Sequence, residues 1–234
     1  MKTTIARVKE MKIPIIYEDN HLLVIEKPVN MPVQADKSGD KDVLSSLKQF
    51  IKVRDQKPGN VYLALVHRLD RPVGGVMVFA KTSKAASRLS NVIRQNNLKR
   101  RYLAVVHGRP NILKQTLVHY LRKNRKKNIV HITSSTHKRA KKAVLEYQTM
   151  QQSKHLSLLS VHLQTGRPHQ IRVQLSAAKL PIVGDQKYGL EKRPGQQIAL
   201  WAHQLTFPHT TTKDNDDFYS QATAIISVEC MECV

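Results

Sequence analysis

The sequence predicts an α+β fold: a single domain with a mixed, mostly antiparallel central sheet flanked by helices and loops. Three observations predict it. Apolar runs of strand length, rich in branched residues, recur along the chain with turn residues between them. Only three stretches carry apolar residues at helical spacing. Strands and helices do not alternate steadily, as a doubly wound parallel sheet requires. Hydrophobic residues make up 41% of the 234, enough for a packed core and against general disorder.

The elements follow in order. Ile13–Glu18 and Leu22–Lys27 read as strands separated by the turn signal Asp19-Asn20-His21. Pro28, Pro32 and Gly39 break the next stretch into loop. From Asp42 to Val53, the apolar set Val43, Leu44, Leu47 and Ile51 predicts a helix. A strand over Val61–Val66 leads into His67-Arg68-Leu69-Asp70, Gly74-Gly75 predicts a flexible turn, and Val76–Ala80 resumes a strand. Ser83 is placed to cap a helix whose inner face carries Ala86, Leu89 and Ile93. Tyr102–Val106 is a short strand ended by Gly108-Arg109-Pro110. Ala143–Met150 and Leu156–Leu163 read as paired strands. Pro168–Lys179 reads as a helix with Ile171, Leu175 and Ala178 in one stripe and Pro168 in its first turn. Further strands are expected at Ile198–Phe207 and Ala222–Val228. The expected organisation is an N-terminal extension (1–12), a main domain (13–209) and a C-terminal segment (210–234) carrying a final strand on the same domain.

Charge narrows the function. Lys and Arg number 39 against 17 Asp and Glu, a formal net charge of +22. A chain this basic meets phosphate, because each cation near a nucleic acid releases condensed counterions. Membrane-surface binding and simple solubility are the plainer alternatives. No run approaches the roughly 18 apolar residues that span a bilayer, and residues 1–10 lack a signal-type apolar segment, so a cytoplasmic protein is expected. Its two cysteines, Cys230 and Cys233, make no disulfide framework, and nearby histidine ligands or a second pair are missing, so no metal is expected. Leu121–Lys142 is dense in cations, including Arg122, Lys123, Arg125, Lys126 and Lys127. It reads as an RNA-facing surface or, more plainly, as a solvated face.

Three segments carry chemistry. In Val66-His67-Arg68-Leu69-Asp70-Arg71-Pro72, a carboxylate sits in a loop between two apolar strands, where a reactive group is commonly placed. Arg68 and Arg71 flank it and favour its ionised form; a surface ion-pair loop is the plainer reading. In Lys99–Gly108, Tyr102 opens a strand behind three cations and is either a core tyrosine or a stacking face for a base. In Leu163–Arg172 a loop enters a helix, whose N-terminus favours phosphate. There His169 and Arg172, three apart, share a face. Spacing does not say whether Arg172 meets Asp70.

These segments, in order, resemble the RluA family of pseudouridine synthases. The resemblance rests on Ile16-Tyr17-Glu18-Asp19 with Leu23-Val24-Ile25-Glu26-Lys27-Pro28, on His67-Arg68-Leu69-Asp70, and on Arg100-Arg101-Tyr102-Leu103-Ala104-Val105-Val106-His107-Gly108. It rests further on Thr165-Gly166-Arg167-Pro168-His169-Gln170-Ile171-Arg172 and on Ile182-Val183-Gly184-Asp185 with Tyr188-Gly189. It covers about residues 13 to 207 and implies a pseudouridine-synthase-type domain without the S4-type RNA-binding domain of many relatives. It implies Asp70 as the catalytic aspartate, Tyr102 as the tyrosine against the target base and Arg172 as the partner of the aspartate. Arg68 resembles the arginine that helps displace the target nucleotide; Arg71, Arg167 and His169 are further candidate contacts to substrate. The reaction it implies isomerises uridine in ribosomal or transfer RNA with no cofactor, no metal and no obligatory protein partner, by a chain expected to act as a monomer. The sequence departs from the family where Val73-Gly74-Gly75 stands in place of Thr-Ser-Gly, and in its unmatched tail from Thr210. Two other classes remain open: a non-catalytic RNA-binding protein, for which Asp70 is dispensable, and a nuclease using His67, Asp70 and His169.

Overall fold

The predicted elements within the described residues appear in order, joined by three strands not predicted, over Lys114–Asn124, Ile129–Thr133 and Asn215–Tyr219, and the differences have local physical causes. The structure, a computed structural model, describes residues 13–191, 193–211 and 214–220. The extension 1–12, the strand expected at Ala222–Val228 and the Cys230/Cys233 pair lie outside the described residues. Two compact units emerge: one runs to Leu98 and takes up Leu205–Ser220, and the other is Lys99–Gln204. Strand β10 (Leu200–Pro208) has residues on both sides of that division.

In the first unit, β1 (Ile15–Glu18), β2 (Leu22–Lys27) and β4 (Gly74–Ala80) pair antiparallel in that order. Leu22, Leu23, Val24 and Ile25 are all fully buried, which explains why β2 is a continuous apolar run rather than an alternating one. Helix α1 (Val43–Arg54) starts where the Asp42 side chain accepts from the Ser45 amide at 2.9 Å. It buries Val43, Leu47 and Ile51, spaced by one turn each. Lys52 and Arg54 sit in its last turn, where the helix dipole favours cations.

The strand expected over Val61–Val66 shrinks to β3 (Ala64–Leu65), paired with Phe79 and Ala80 of β4. The ladder stops there because the next β4 amide in need of an acceptor, that of Val78, donates to Nε2 of His67 at 3.1 Å. An imidazole has replaced a carbonyl. Gly74 and Gly75 are not a turn but the buried start of β4. Gly75 pairs with Lys27 at φ +114, a conformation that favours glycine. Helix α2 (Ser83–Arg94) is capped by Thr82, whose hydroxyl accepts from the Ala85 amide at 3.2 Å, and not by Ser83. Ala85 and Leu89 are its buried residues; Ala86 and Ile93 are half-buried. The C-terminal piece adds β11 (Asn215–Tyr219) beside β10, a strand the acidic run Asp214–Asp217 concealed. Phe218 rests on Tyr17 and Phe207, with ring centres 5.3 and 5.5 Å away, and His209 Nε2 lies 3.0 Å from Asp19.

In the second unit the order is β5 (Lys99–His107), β9 (Leu156–Leu163), β8 (Lys141–Gln152), β6 (Lys114–Asn124) and β7 (Ile129–Thr133), each pair antiparallel. The cation-rich segment is thus mostly the β6–β7 hairpin and its return into β8. Helix α3 (Gln170–Ala177) is shorter than expected. Pro168 precedes it, and His169 forms its N-cap in the left-handed region at φ 51. Every residue from Gln170 to Leu175 is buried, so α3 is enclosed rather than striped. The mixed, mostly antiparallel α+β architecture is the one the sequence predicts. No helix among the described residues is long and apolar enough to cross a membrane.

Replacing Thr82 by Ala should lower the unfolding free energy by about 1 kcal/mol in urea titration, while Ser83→Ala leaves it nearly unchanged. The opposite pattern would assign the cap to Ser83.

Candidate functional site

Asp70 sits at the head of a tight turn: its carbonyl accepts from the Val73 amide at 3.0 Å. Leu69 is buried at its base, Asp70 is half-buried and Arg68 is exposed. The turn is held from beneath by Lys27, the last residue of β2. Its side chain is fully buried, and its ammonium donates to the carbonyls of Pro28 (2.7 Å), Val73 (2.8 Å) and Arg71 (3.1 Å). Three N–H groups meet three carbonyls, two of them in the turn that carries Asp70. Burial pushes the Lys27 pKa down to about 7, Asp70 opposes the shift and Arg71 adds to it. Lys27 was the residue that sequence reading passed over. It lies inside the Glu26-Lys27-Pro28 segment, but a lysine ending a strand gives no sign of burial.

Arg71 turns away along the preceding loop. It donates to the Asn30 carbonyl (3.2 Å) and to the Ser38 hydroxyl (3.1 Å), and it pairs with Asp40. It therefore straps the 30–40 loop to the Asp70 turn. Val73 contributes its carbonyl to Lys27 and its side chain to the core.

In the second unit Tyr102 lies in β5 opposite Val161 and is 7% exposed. The loop from Thr165 to His169 is closed by the buried amide of Gln170. Its Oε1 accepts from the Thr165 hydroxyl (2.8 Å) and the Arg167 amide (2.9 Å), and its Nε2 donates to the Val144 carbonyl (3.1 Å). Arg167 is half-buried, with its Nε on the Lys142 carbonyl at 3.0 Å.

Arg172 is buried and holds Asp185 in a two-pronged pair, Nε to Oδ2 at 2.8 Å and Nη2 to Oδ1 at 2.6 Å. Burial alone would raise the Asp185 pKa. The hydrogen bonds and charge of Arg172, with the amides of Lys187 and Tyr188, hold it below the usual carboxylate range. Asp185 ends the Ile182-Val183-Gly184-Asp185 motif, and only the fold shows its partner. Gly184 and Gly189 frame it closely. A Cβ on Gly184, at φ +72, would lie 2.1 Å from the Gln197 carbonyl oxygen, and one on Gly189 would lie 2.4 Å from that of Asp185.

His169 and Arg172 do share a face, and Tyr188 is what they share. Nδ1 of His169 is 2.8 Å from the Tyr188 hydroxyl, and the Arg172 guanidinium lies over the Tyr188 ring at 5.3 Å. The same hydroxyl accepts from the Val130 amide of β7 at 2.8 Å. Tyr188 thus ties the basic hairpin, the start of α3 and the Arg172–Asp185 pair together, a second role invisible to spacing.

A family model described as RNA pseudouridylate synthase matches residues 21–177. The chain is 34% identical over 212 residues to ribosomal large subunit pseudouridine synthase C of Buchnera aphidicola subsp. Baizongia pistaciae, across 86% of this chain and 64% of that protein. It is 31% identical over 221 residues to ribosomal large subunit pseudouridine synthase D of Zymomonas mobilis subsp. mobilis, across 90% and 69%. The chain thus spans about two thirds of the length of these curated relatives. The solved structure of human RNA pseudouridylate synthase domain containing 4 shares the fold, with a TM-score of 0.74 at 22% identity over 89% of this chain and 88% of that one.

Lys27→Met strands three carbonyls and should cost about 3 kcal/mol in urea unfolding at pH 7. Because the folded pKa of Lys27 is lowered to about 7, the unfolded chain binds the extra proton between there and the ordinary value of 10.5. Wild-type stability relative to Lys27→Met should therefore be flat below about pH 7 and rise with pH above it. A difference that shrinks with rising pH would refute this assignment. Asp185→Asn leaves a buried guanidinium without its anion and should cost about 3–5 kcal/mol. The wild type should lose this contribution as pH falls below about 4, the usual aspartate range, and the variant should lack that acid limb in a pH series of unfolding midpoints.

Proposed function

The chain belongs to the RNA pseudouridylate synthase family, and from that premise we propose that it isomerises specific uridines of a structured RNA to pseudouridine. The observation that carries this reading is the family match over residues 21–177, which contains the Asp70 turn. Its relatives named for the ribosomal large subunit favour ribosomal RNA as the substrate over transfer RNA.

The reaction breaks the N1–C1′ bond, turns the uracil, and joins C5 to C1′. The C5 proton is lost and N1 regains one, so no redox partner is consumed. The chemistry needs a carboxylate at the sugar and a pocket that retains the detached base. In this reading Asp70 is that carboxylate, either attacking C1′ or taking the proton at C2′. The Tyr102 ring lies against the uracil. Arg172 offers the guanidinium that the resemblance pairs with the catalytic carboxylate. The exposed Arg68 acts on the displaced nucleotide, and Arg71, Arg167 and His169 support the substrate-bearing loops. A uridine stacked in a helix must first be flipped out, at a cost of a few kcal/mol, which phosphate contacts from the basic surface offset. The enzyme works in the cytoplasm, as a monomer and without a cofactor.

Carbodiimide mapping of total RNA from cells with and without the gene tests this reading. One or a few pseudouridines should vanish without it, return with the wild type, and stay absent with Asp70→Asn. On transcribed RNA the Asp70→Asn protein should be slower by a factor on the order of 10³ or more. Wild-type rates from Asp70→Asn would remove Asp70 from the chemistry.

A further inference from the structure

The basic hairpin builds more than a charged face. It borders a groove of about 940 Å³ within the second unit. One wall comes from β6 and its turn, with Arg122, Lys123, Arg125 and Lys126; the other is Lys138–Lys141, with Arg167 and Pro168 at the end. No acidic residue lines it, and the sequence contains no Asp or Glu at all between Asp70 and Glu146.

The walls are braced. Leu121 and Val130 anchor the hairpin in an apolar cluster with Ala143 and Val173, against which Tyr188 packs. The Val130 amide is pinned to the Tyr188 hydroxyl. On the far side the His137 ring spans the Arg122 guanidinium (2.9 Å) and the Arg139 backbone amide (3.1 Å). The backbone that carries the cations is therefore held at several points, and the Arg122 guanidinium with it. Leu121 and Val130 at the floor lower the local dielectric and strengthen the field between the walls.

The lining also says what form of nucleic acid fits. Single-stranded RNA is held by stacking its bases on aromatic rings. The groove has no Phe, Tyr or Trp among its lining residues. Its one side-chain amide, Asn124, has its oxygen taken by the Lys127 backbone N–H at 3.1 Å. What remains is positive charge, which reads phosphates and not sequence. A paired RNA stem presents phosphates and hides its base edges in a deep, narrow major groove.

We propose that this groove grips the phosphate backbone of a double-stranded RNA stem, so that the substrate is recognised by a helical element and not only by the unpaired segment holding the target. The proposal rests on the reading of the chain as an RNA-modifying enzyme and adds the class of RNA structure it requires. Arg167 joins the groove to the loop that enters α3, so the stem is gripped beside the Arg172 segment of the same unit.

Fluorescence anisotropy tests it with two labelled probes of equal length, a fully paired RNA hairpin and an oligouridine. Replacing Lys123, Arg125 and Lys126 together by Gln should weaken hairpin binding tenfold or more at low salt. It should also flatten the slope of log affinity against log KCl by about 2 to 3, with a clearly smaller loss on oligouridine. Equal losses on both probes would mean the groove follows a single strand; unchanged hairpin affinity and slope would mean a solvated face. Either outcome overturns the proposal. Should circular dichroism show the triple variant unfolded, Lys138→Gln with Arg139→Gln on the opposite wall carries the same test. Pseudouridine formation by the unmodified protein, assayed separately, tells the two failures apart. A protein inactive on every RNA sinks the isomerase reading while the hairpin comparison still stands or falls alone.

Discussion

A lysine sealed from water beneath a turn is an expensive thing to build, and the first unit is arranged around one. Lys27 reaches the carbonyls of Pro28, Arg71 and Val73 from the end of β2. Without those carbonyls its charge would have no place in the interior. Without the lysine side chain, the backbone around Asp70 would lose the donor that its carbonyls share. The arrangement ties strand β2, the loop after it and the turn that bears the carboxylate into one object. Gly75 belongs to it as well, because its pairing with Lys27 at positive φ lets β4 begin directly after the turn.

The second unit answers the same problem with an ion pair. Arg172 and Asp185 are both removed from solvent and satisfy each other, with backbone amides completing the carboxylate. Such a pair adds little net stability over an apolar substitute, but it demands one geometry. Tyr188 transmits that demand outward, to His169 at the mouth of α3 and to β7 in the basic hairpin. The strained backbone of His169 is held from two sides, by its ring contact and by the helix it opens. A residue family that looked like separate motifs along the chain is one hydrogen-bonded assembly in space.

Family membership and these two assemblies are different kinds of finding. The match to known synthases concerns descent. The assemblies concern order: each fixes a loop through buried, paired groups, so that the loop's conformation is set before any ligand binds. The cationic groove follows the same logic, because its charges are mounted on a hairpin anchored by packed apolar residues.

Much of the fold could be read along the chain, wherever a signal was local. The apolar run of β2, the one-turn spacing of Val43, Leu47 and Ile51, and the paired runs of β8 and β9 depend on residues near one another in sequence, and the structure has them. The family resemblance was legible for the same reason, as ordered short motifs. What tertiary structure alone decided is every feature whose partner lies far away. His67 ended β3 by capping Val78, Lys27 went inward because distant carbonyls were waiting, and Asp185 rather than mere spacing explains why Arg172 is buried. Even the cap of α2, one residue from where it was expected, turned on which hydroxyl faced the Ala85 amide. Local pattern reports which backbone state a segment prefers; where a charge or an imidazole is satisfied depends on groups that only folding brings within three ångströms of it.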